Sequence, residues 1–312
     1  MGGGLLLGID LGGTKTRAAI ADAEGRVLDE LVEPTAATSA AAVAAQVAGC
    51  RDTLLAGLGR PRGDVVAAGA ALPIAIHPAT GFAWSTGNVP GLLGSRPAIE
   101  LESALGIPVA VDNDGNCAAL GEWRLGAAAG VDDVAVIAIG TGIGAGIISG
   151  GRLLRGARGG AAELAFLPLG EDPWAAASRE LGAYERAVAG PAIVARVNAA
   201  IDSAGDDTRL APGARLEAIV AAAASGDALA IQLLDEEARL VALGIAAVRA
   251  VVDPSLVVLS GGVGAVAGLL EPVTAHVATL CAEPPRLVTG DLGERAPLIG
   301  ALLLAAERAE TG

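Results

Sequence analysis

The sequence predicts an α/β protein with a duplicated core, two domains that share a hinge and enclose a cleft between the halves. Three observations predict it. LLLGIDLGGTKTRAAIADAEGRVL, from Leu5, is echoed by VAVIAIGTGIGAGIISGGRLL, from Val134. Each copy is an apolar strand, a Gly/Thr turn, a second apolar strand, a small-residue turn and a Val/Leu continuation. Further apolar strand runs alternate with helical stretches along the chain, and no linker of disordered composition interrupts it.

Taken in order, Leu5 to Leu28 reads as a β-hairpin meander with a Gly-rich turn at GGTK and a tight turn at Glu24-Gly25. The Ala-rich residues 36–59 follow as a helix, and VVAAGAALPI, from Val65, is a strand. Residues 97–106 are expected to be helical, and IPVAVDND (107–114) is a strand ending on polar residues. After the second copy of the hairpin unit the pattern becomes mainly helical from Ala187 to about Val251. SLVVLSGG (255–262) is then a strand leading into a Gly turn, and a last helix runs from Pro297 to Glu307. The expected division is near Asp112, with the final helix returning to the first domain: 1–112 plus 298–312, and 113–297.

Composition narrows the functional classes. Hydrophobic residues make up 53% of the chain but aromatics only 2%, so the core must be packed from Val, Leu, Ile and Ala. The formal net charge is -14 and no run of Lys or Arg offers a footprint for nucleic acid. An anionic ligand would be held by backbone N–H groups and a cation rather than by a basic surface. Cys50, Cys117 and Cys281 are far apart, with no CxxC pair, and read as reduced thiols. MGGGLLLGIDLGG lacks a basic n-region and has Leu at position 6, so neither a signal peptide nor a myristoylation signal is expected. No apolar run reaches transmembrane length without Gly or charge. These features point to the cytoplasm, with no membrane partner.

Three Gly-rich turns follow strands: DLGGTK (10–15), GTGIGAG (140–146) and SGGVG (260–264). Glycine lets successive N–H groups approach an anion without a Cβ in the way. A single such turn is more often only a hairpin; three in one chain favour a nucleotide. None is GxxxxGK[ST], and GTGIGAG fails as a dinucleotide fingerprint because Ala145 takes the third position and a strand follows. Asp10, facing the first turn, either orients Mg²⁺ or its water or caps the turn. VDNDGN (111–116) places Asp112, Asn113, Asp114 and Asn116 at a strand end, where they either cap the next helix or line a site.

DLGGTK, TGNVPG (86–91), VDNDGNCAALGEW (111–123) and IGTGIGAGIISGGRLLRGARGGAAEL (139–164) occur in an order and spacing that resemble the ROK family of sugar kinases and repressors. SGG (260–262) and GAL (300–302) extend the resemblance over essentially the whole chain. It implies a duplicated actin-like, ribonuclease-H-like fold with two domains around a nucleotide cleft. It also implies an ATP- and Mg²⁺-dependent kinase acting on a hexose, aminosugar or C7-cyclitol, and a homodimer. Asp114 matches the family's catalytic base. Asn88, Asn113, Glu163 and Glu185 match sugar-binding positions. Gly12, Gly13, Thr14 and Lys15, with Gly140, Thr141, Gly142 and Gly144, would hold phosphates, while Gly261 and Gly262 would approach adenosine. The alternative within the family, a sugar-responsive regulator or a sugar-binding protein without catalysis, needs a DNA-binding helix-turn-helix, or the loss of Asp114 and Asp10. Only four residues precede Leu5, and both carboxylates are present.

Departures from the family pattern are as informative. Its His three residues after Glu163 is here Phe166, and its Cys-rich zinc loop is replaced by GEDPWAAASRELGA (170–183). Ligands that vanish together imply a protein without structural zinc. ALPIA (71–75) stands where the family has GSPGP, so Ile74 replaces a Gly near the sugar. Phe166 and Ile74 make the expected pocket more apolar, which favours a modified sugar or cyclitol over glucose.

Overall fold

The computed structural model describes residues 4–36, 38–86, 89–204 and 207–311. In chain order the first elements are β1 (Leu5–Leu11), β2 (Lys15–Ala21), β3 (Val27–Pro34), α1 (Ala40–Gly57), β4 (Val65–Leu72), β5 (Ile74–Ile76), β6 (Ala83–Thr86), α2 (Pro97–Leu105), β7 (Val109–Asn113) and α3 (Asp114–Leu125). There follow β8 (Val134–Ile139), β9 (Ile143–Ser149), β10 (Arg152–Leu153), α4 (Ala176–Leu181), α5 (Glu185–Val188), α6 (Gly190–Ala204), α7 (Leu216–Ala224) and α8 (Ala228–Val252). The chain ends with β11 (Leu256–Ser260), α9 (Gly261–Gly264), α10 (Leu270–Leu280), β12 (Arg286–Thr289) and α11 (Ala296–Thr311).

Two compact units result: Met1–Arg124 with Leu153–Ala161 and Arg295–Gly312, and Leu125–Arg152 with Ala162–Glu294. Their main sheets have the same connectivity, β3-β2-β1-β4-β7 in the first and β10-β9-β8-β11-β12 in the second. In each, an antiparallel hairpin (β1 with β2, β8 with β9) is continued by parallel strands (β1 with β4, β8 with β11). The echo seen in the sequence is thus an echo in topology.

In the first unit, β1 is buried on both faces except at Asp10, as expected of a central strand. The outer strand β3 carries Asp29, Glu30, Glu33 and Pro34, which discourage further edge pairing. Helix α11 lies so close to β4 that a Cβ at Gly69 would be 1.9 Å from the Ala301 carbonyl oxygen. Only glycine fits there, and this contact returns the final helix to the first unit. Helix α3 joins the same layer: Cys117 and Leu120 are buried with Ala71, Ala301 and Leu304. For that reason the first unit extends to Arg124 rather than stopping at Asp112, and it also takes in 153–161.

The second unit's core packs β8, β9 and β11 against α6, α7, α8 and α10, with Tyr184 the only buried aromatic of that cluster. Asp227 caps α8, accepting from the Ala230 N–H at 3.0 Å. No helix among the described residues is long and apolar enough to cross a membrane.

Three expected boundaries shift. Asp10 lies within β1 rather than after it, β7 stops at Asn113 so that Asp114 opens α3, and β11 stops at Ser260 so that Gly261 opens α9. In the last two cases the polar or glycine residues of the run start the following helix.

Candidate active site

In the first unit the register aligns Asp10 with Ala71 and Ala71 with Asp112, so two carboxylates flank β4 on one row at the ends of their strands. The first Gly turn is fixed beside them. The Gly12 N–H donates to the Lys15 carbonyl at 2.9 Å, the Thr35 hydroxyl donates to the Gly12 carbonyl at 2.7 Å, and the Thr35 N–H donates to the Thr14 carbonyl at 3.1 Å. Thr14 and Lys15 are exposed at its tip.

At the end of β7 the polar run caps the helix that follows. Asn113 Oδ1 accepts from the Gly115 N–H at 2.8 Å and from the Asn116 N–H at 3.2 Å, while its amide donates to the Ile74 carbonyl at 3.2 Å. Asp114 therefore stands on the first turn of α3 and itself accepts from the Gly115 N–H at 2.8 Å. Asp10, Asp112 and Asp114 all lie close enough to Cys117 for their charges to add to the main effect, burial, in raising its thiol well above the usual range. Cys117 is fully buried and serves packing. Asn88, the remaining candidate of this unit, lies outside the described residues.

In the second unit the turn between β8 and β9 is closed by the Gly140 N–H donating to the Gly142 carbonyl, and the Gly190 N–H donates to the Gly140 carbonyl, both at 2.8 Å. Glu185 sits over this turn. Its Oε2 accepts from the Ile143 N–H at 3.0 Å, and a Cβ on Gly142 would come within 2.6 Å of that oxygen. Burial raises the Glu185 carboxyl, against the opposing effect of the Ile143 hydrogen bond. Glu185 thus engages the turn assigned to phosphates.

After β11, Gly261 adopts φ 79°, and a Cβ there would meet the Ile139 carbonyl at 2.5 Å. Gly262 has open space where its Cβ would be, and both glycines line a cavity of about 350 Å³ with Ala265, Val266 and Glu217.

Glu163 precedes a single 3-10 turn, Leu164–Phe166, and follows Ala162, which holds the left-handed φ of 66°. Phe166 is 48% exposed, so its ring is not core packing. The stretch in place of a Cys-rich loop forms α4. Arg186 Nη1 donates to the buried Ser178 hydroxyl at 2.7 Å, and the Gly182 N–H donates to the Ser178 carbonyl at 2.9 Å.

Two side chains at these sites had no place among the sequence candidates. Arg155 Nε donates to Asp112 Oδ2 at 2.7 Å, and Glu217 borders the cavity beside Gly262. For Arg155 a faint signal exists: Arg152, Arg155 and Arg158 recur every third residue in an otherwise acidic chain. For Glu217, on an ordinary helical stretch, there is none.

Comparison with known proteins places this arrangement. A glucokinase of Streptomyces coelicolor is 32% identical over 324 residues, covering 97% of this chain and 98% of that protein. An N-acetylmannosamine kinase of Escherichia fergusonii is 30% identical over 313 residues, covering 96% and 97%. The crystal structure of a ROK family glucokinase from Streptomyces griseus, in complex with glucose and AMPPNP, superposes with a TM-score of 0.79 at 28% identity, covering 97% of this chain and all of that one. The paired five-stranded sheets are those of the actin-like fold. The sequence profile of the ROK family matches residues 6–308, and with relatives of this identity aligned along nearly its full length, the chain belongs to the ROK family.

Proposed function

We propose that the protein is an ATP-dependent sugar kinase that transfers the γ-phosphoryl group to a hydroxyl, a primary 6-OH-like one, of a hexose, aminosugar or C7-cyclitol. The observation that carries the reading is Asp114, a carboxylate on the first turn of α3 beside the capping Asn113, in a chain of the ROK family. The names of the relatives, glucokinase and N-acetylmannosamine kinase, support a sugar as acceptor.

In this reading Asp114 accepts the proton of the attacking hydroxyl, and Asn113, whose amide carries a second N–H, donates to a neighbouring hydroxyl. Asn88, Glu163 and Glu185 read the remaining ring hydroxyls, and a site that hydrogen-bonds a hydroxyl strongly rejects analogues lacking it. Phe166 presents an apolar face to the ring. Backbone N–H groups of the 12–15 and 140–144 turns hold phosphate oxygens, and Gly261 and Gly262 admit the adenosine. Phosphoryl transfer asks mainly for such positioning and charge stabilisation. Asp10, a hard oxygen donor at the end of β1, fits a magnesium ion or its water, and the ion when bound neutralises phosphate charge. A homodimer in the cytoplasm belongs to the same reading.

ADP release tests it, measured with glucose, N-acetylmannosamine and a C7-cyclitol for the wild type and for Asp114→Asn. The wild type should turn over at least one acceptor, with the cyclitol or aminosugar ahead of glucose if Phe166 faces the ring. Asp114→Asn should keep its fold and ATP binding and lose about 10²–10⁴ in kcat. Wild-type-like turnover by Asp114→Asn would remove Asp114 from the chemistry.

A further inference from the structure

The segment 153–161 is fastened to the first unit at three points. Arg155 Nε donates to Asp112 Oδ2 at 2.7 Å. The Trp84 indole N–H donates to the Arg158 carbonyl at 2.6 Å. Gly159, at φ 76°, lies against β5 so closely that a Cβ would be 1.9 Å from the Ile76 carbonyl oxygen. Within the segment the Ala161 N–H donates back to the Arg155 carbonyl at 3.1 Å, which closes it into a compact loop. These contacts hold the loop against the first unit, and Arg155 reaches Asp112 from it.

Asp112 is only 7% exposed, and besides Arg155 its carboxylate accepts from groups at the start of α3. Its Oδ1 accepts from the Asn113 N–H and from Asn116 Nδ2, both at 2.8 Å. Asn113 in turn caps the helix through the Gly115 and Asn116 N–H groups. Arg155 is the one cation paired with the Asp112 carboxylate among the described residues. Without it a buried negative charge would stand unopposed two residues from Asp114, and the carboxylate would have to turn or draw in water. Either movement disturbs the Asn113 and Asn116 bonds that set the first turn of α3.

We infer that Arg155 is a positioning residue for phosphoryl transfer: through Asp112 it fixes the first turn of α3 and with it the carboxylate of Asp114. The inference rests on the reading of Asp114 as the base. Its signature is a fall in kcat without a matching change in nucleotide affinity, because the turns assigned to ATP are held by other contacts.

The test is steady-state kinetics on Arg155→Met, Arg155→Lys and Asp112→Asn, each with its thermal midpoint, beside Asp114→Asn. Misplacing a reacting group by about an ångström costs up to about 100-fold. Arg155→Met should accordingly lose about 10- to 100-fold in kcat with KM for ATP within about twofold of wild type. Arg155→Lys restores a cation and should recover most of the loss. Asp112→Asn, which removes the charge that Arg155 opposes, supplies a second reading if Arg155→Met does not fold, and should show the same loss of kcat at unchanged KM for ATP. Turnover of Arg155→Met or Asp112→Asn at the wild-type level overturns the inference, as does a loss that Arg155→Lys does not relieve. An active Asp114→Asn would instead overturn the reading of the base, and the two failures are read from different variants.

Discussion

Glu185 shows how far one carboxylate can be shared. The resemblance to sugar kinases gives it to the sugar, whereas its Oε2 accepts the Ile143 N–H at 3.0 Å and overlies Gly142 in the turn assigned to phosphates. Burial raises this carboxyl, against the Ile143 hydrogen bond that lowers it. The expected consequence is that Glu185→Ala raises KM for ATP as well as for the sugar, by about fivefold for the loss of one hydrogen bond. Glu185→Gln keeps an acceptor for Ile143 and should leave KM for ATP near the wild-type value while still weakening the sugar. Kinetics with each substrate varied in turn separates the two; a purely sugar-binding Glu185 would leave KM for ATP unchanged in both variants. Ala162, next to Glu163, holds a left-handed φ of 66°, a conformation that a residue with a Cβ adopts only where its surroundings impose it.

At the scale of elements, the stretch from Leu164 to Arg186 is organised by hydrogen bonds. Ser178 on α4 receives the Arg186 guanidinium, and Arg186 also pairs with Glu171 at 3.7 Å. Removing a buried hydroxyl that serves a charged partner costs about 1–3 kcal/mol, so Ser178→Ala should lower the thermal midpoint measurably. A zinc chelator should leave that midpoint unchanged, and elemental analysis should find no stoichiometric zinc. One tightly held zinc per chain, with a midpoint that falls on chelation, would contradict this account. The principal elements were legible in the sequence because their signals are local. The alternation of apolar runs and Gly turns marks β1, β2, β4, β8, β9 and β11, and the long apolar periodicity marks α8. The short hairpin β5–β6, the edge strand β12 and helix α4 were not, since runs of three to six residues are too short to carry a period of their own. The same division holds for the site. Asp114 and the glycine turns stand in contiguous motifs, whereas the Asp112–Arg155 and Glu185–Ile143 contacts join residues 43 and 42 positions apart. Such pairings depend on how strands and loops are brought together, and no spacing rule reports them.

For the whole molecule the distinctive quantity is charge, -14 at neutral pH, and stability should follow pH through a few groups that titrate differently folded and unfolded. Asp227, held low first by the Arg209 N–H and then by the Ala230 N–H, contributes stability above its unfolded value of 3.8 that is lost only on strong acidification. Glu237 acts in the opposite sense. It is fully buried on α8 beside Arg196, its Oε1 has no hydrogen-bond partner, and burial pushes its carboxyl from 4.5 to about 8 despite the Arg196 guanidinium. A carboxyl raised on folding contributes stability that is complete below its unfolded value and lost as pH rises through the folded one. Between about pH 4.5 and 8 the wild type should therefore lose thermal stability through this one residue. Glu237→Gln keeps the size and an acceptor for Arg196 but cannot ionise, so its midpoint should fall less over the same interval, and the two curves should converge toward the acid end. Parallel curves from pH 5 to 9 would mean instead that Arg196 keeps Glu237 charged throughout, and that the buried pair is ionic at every pH at which the protein is folded.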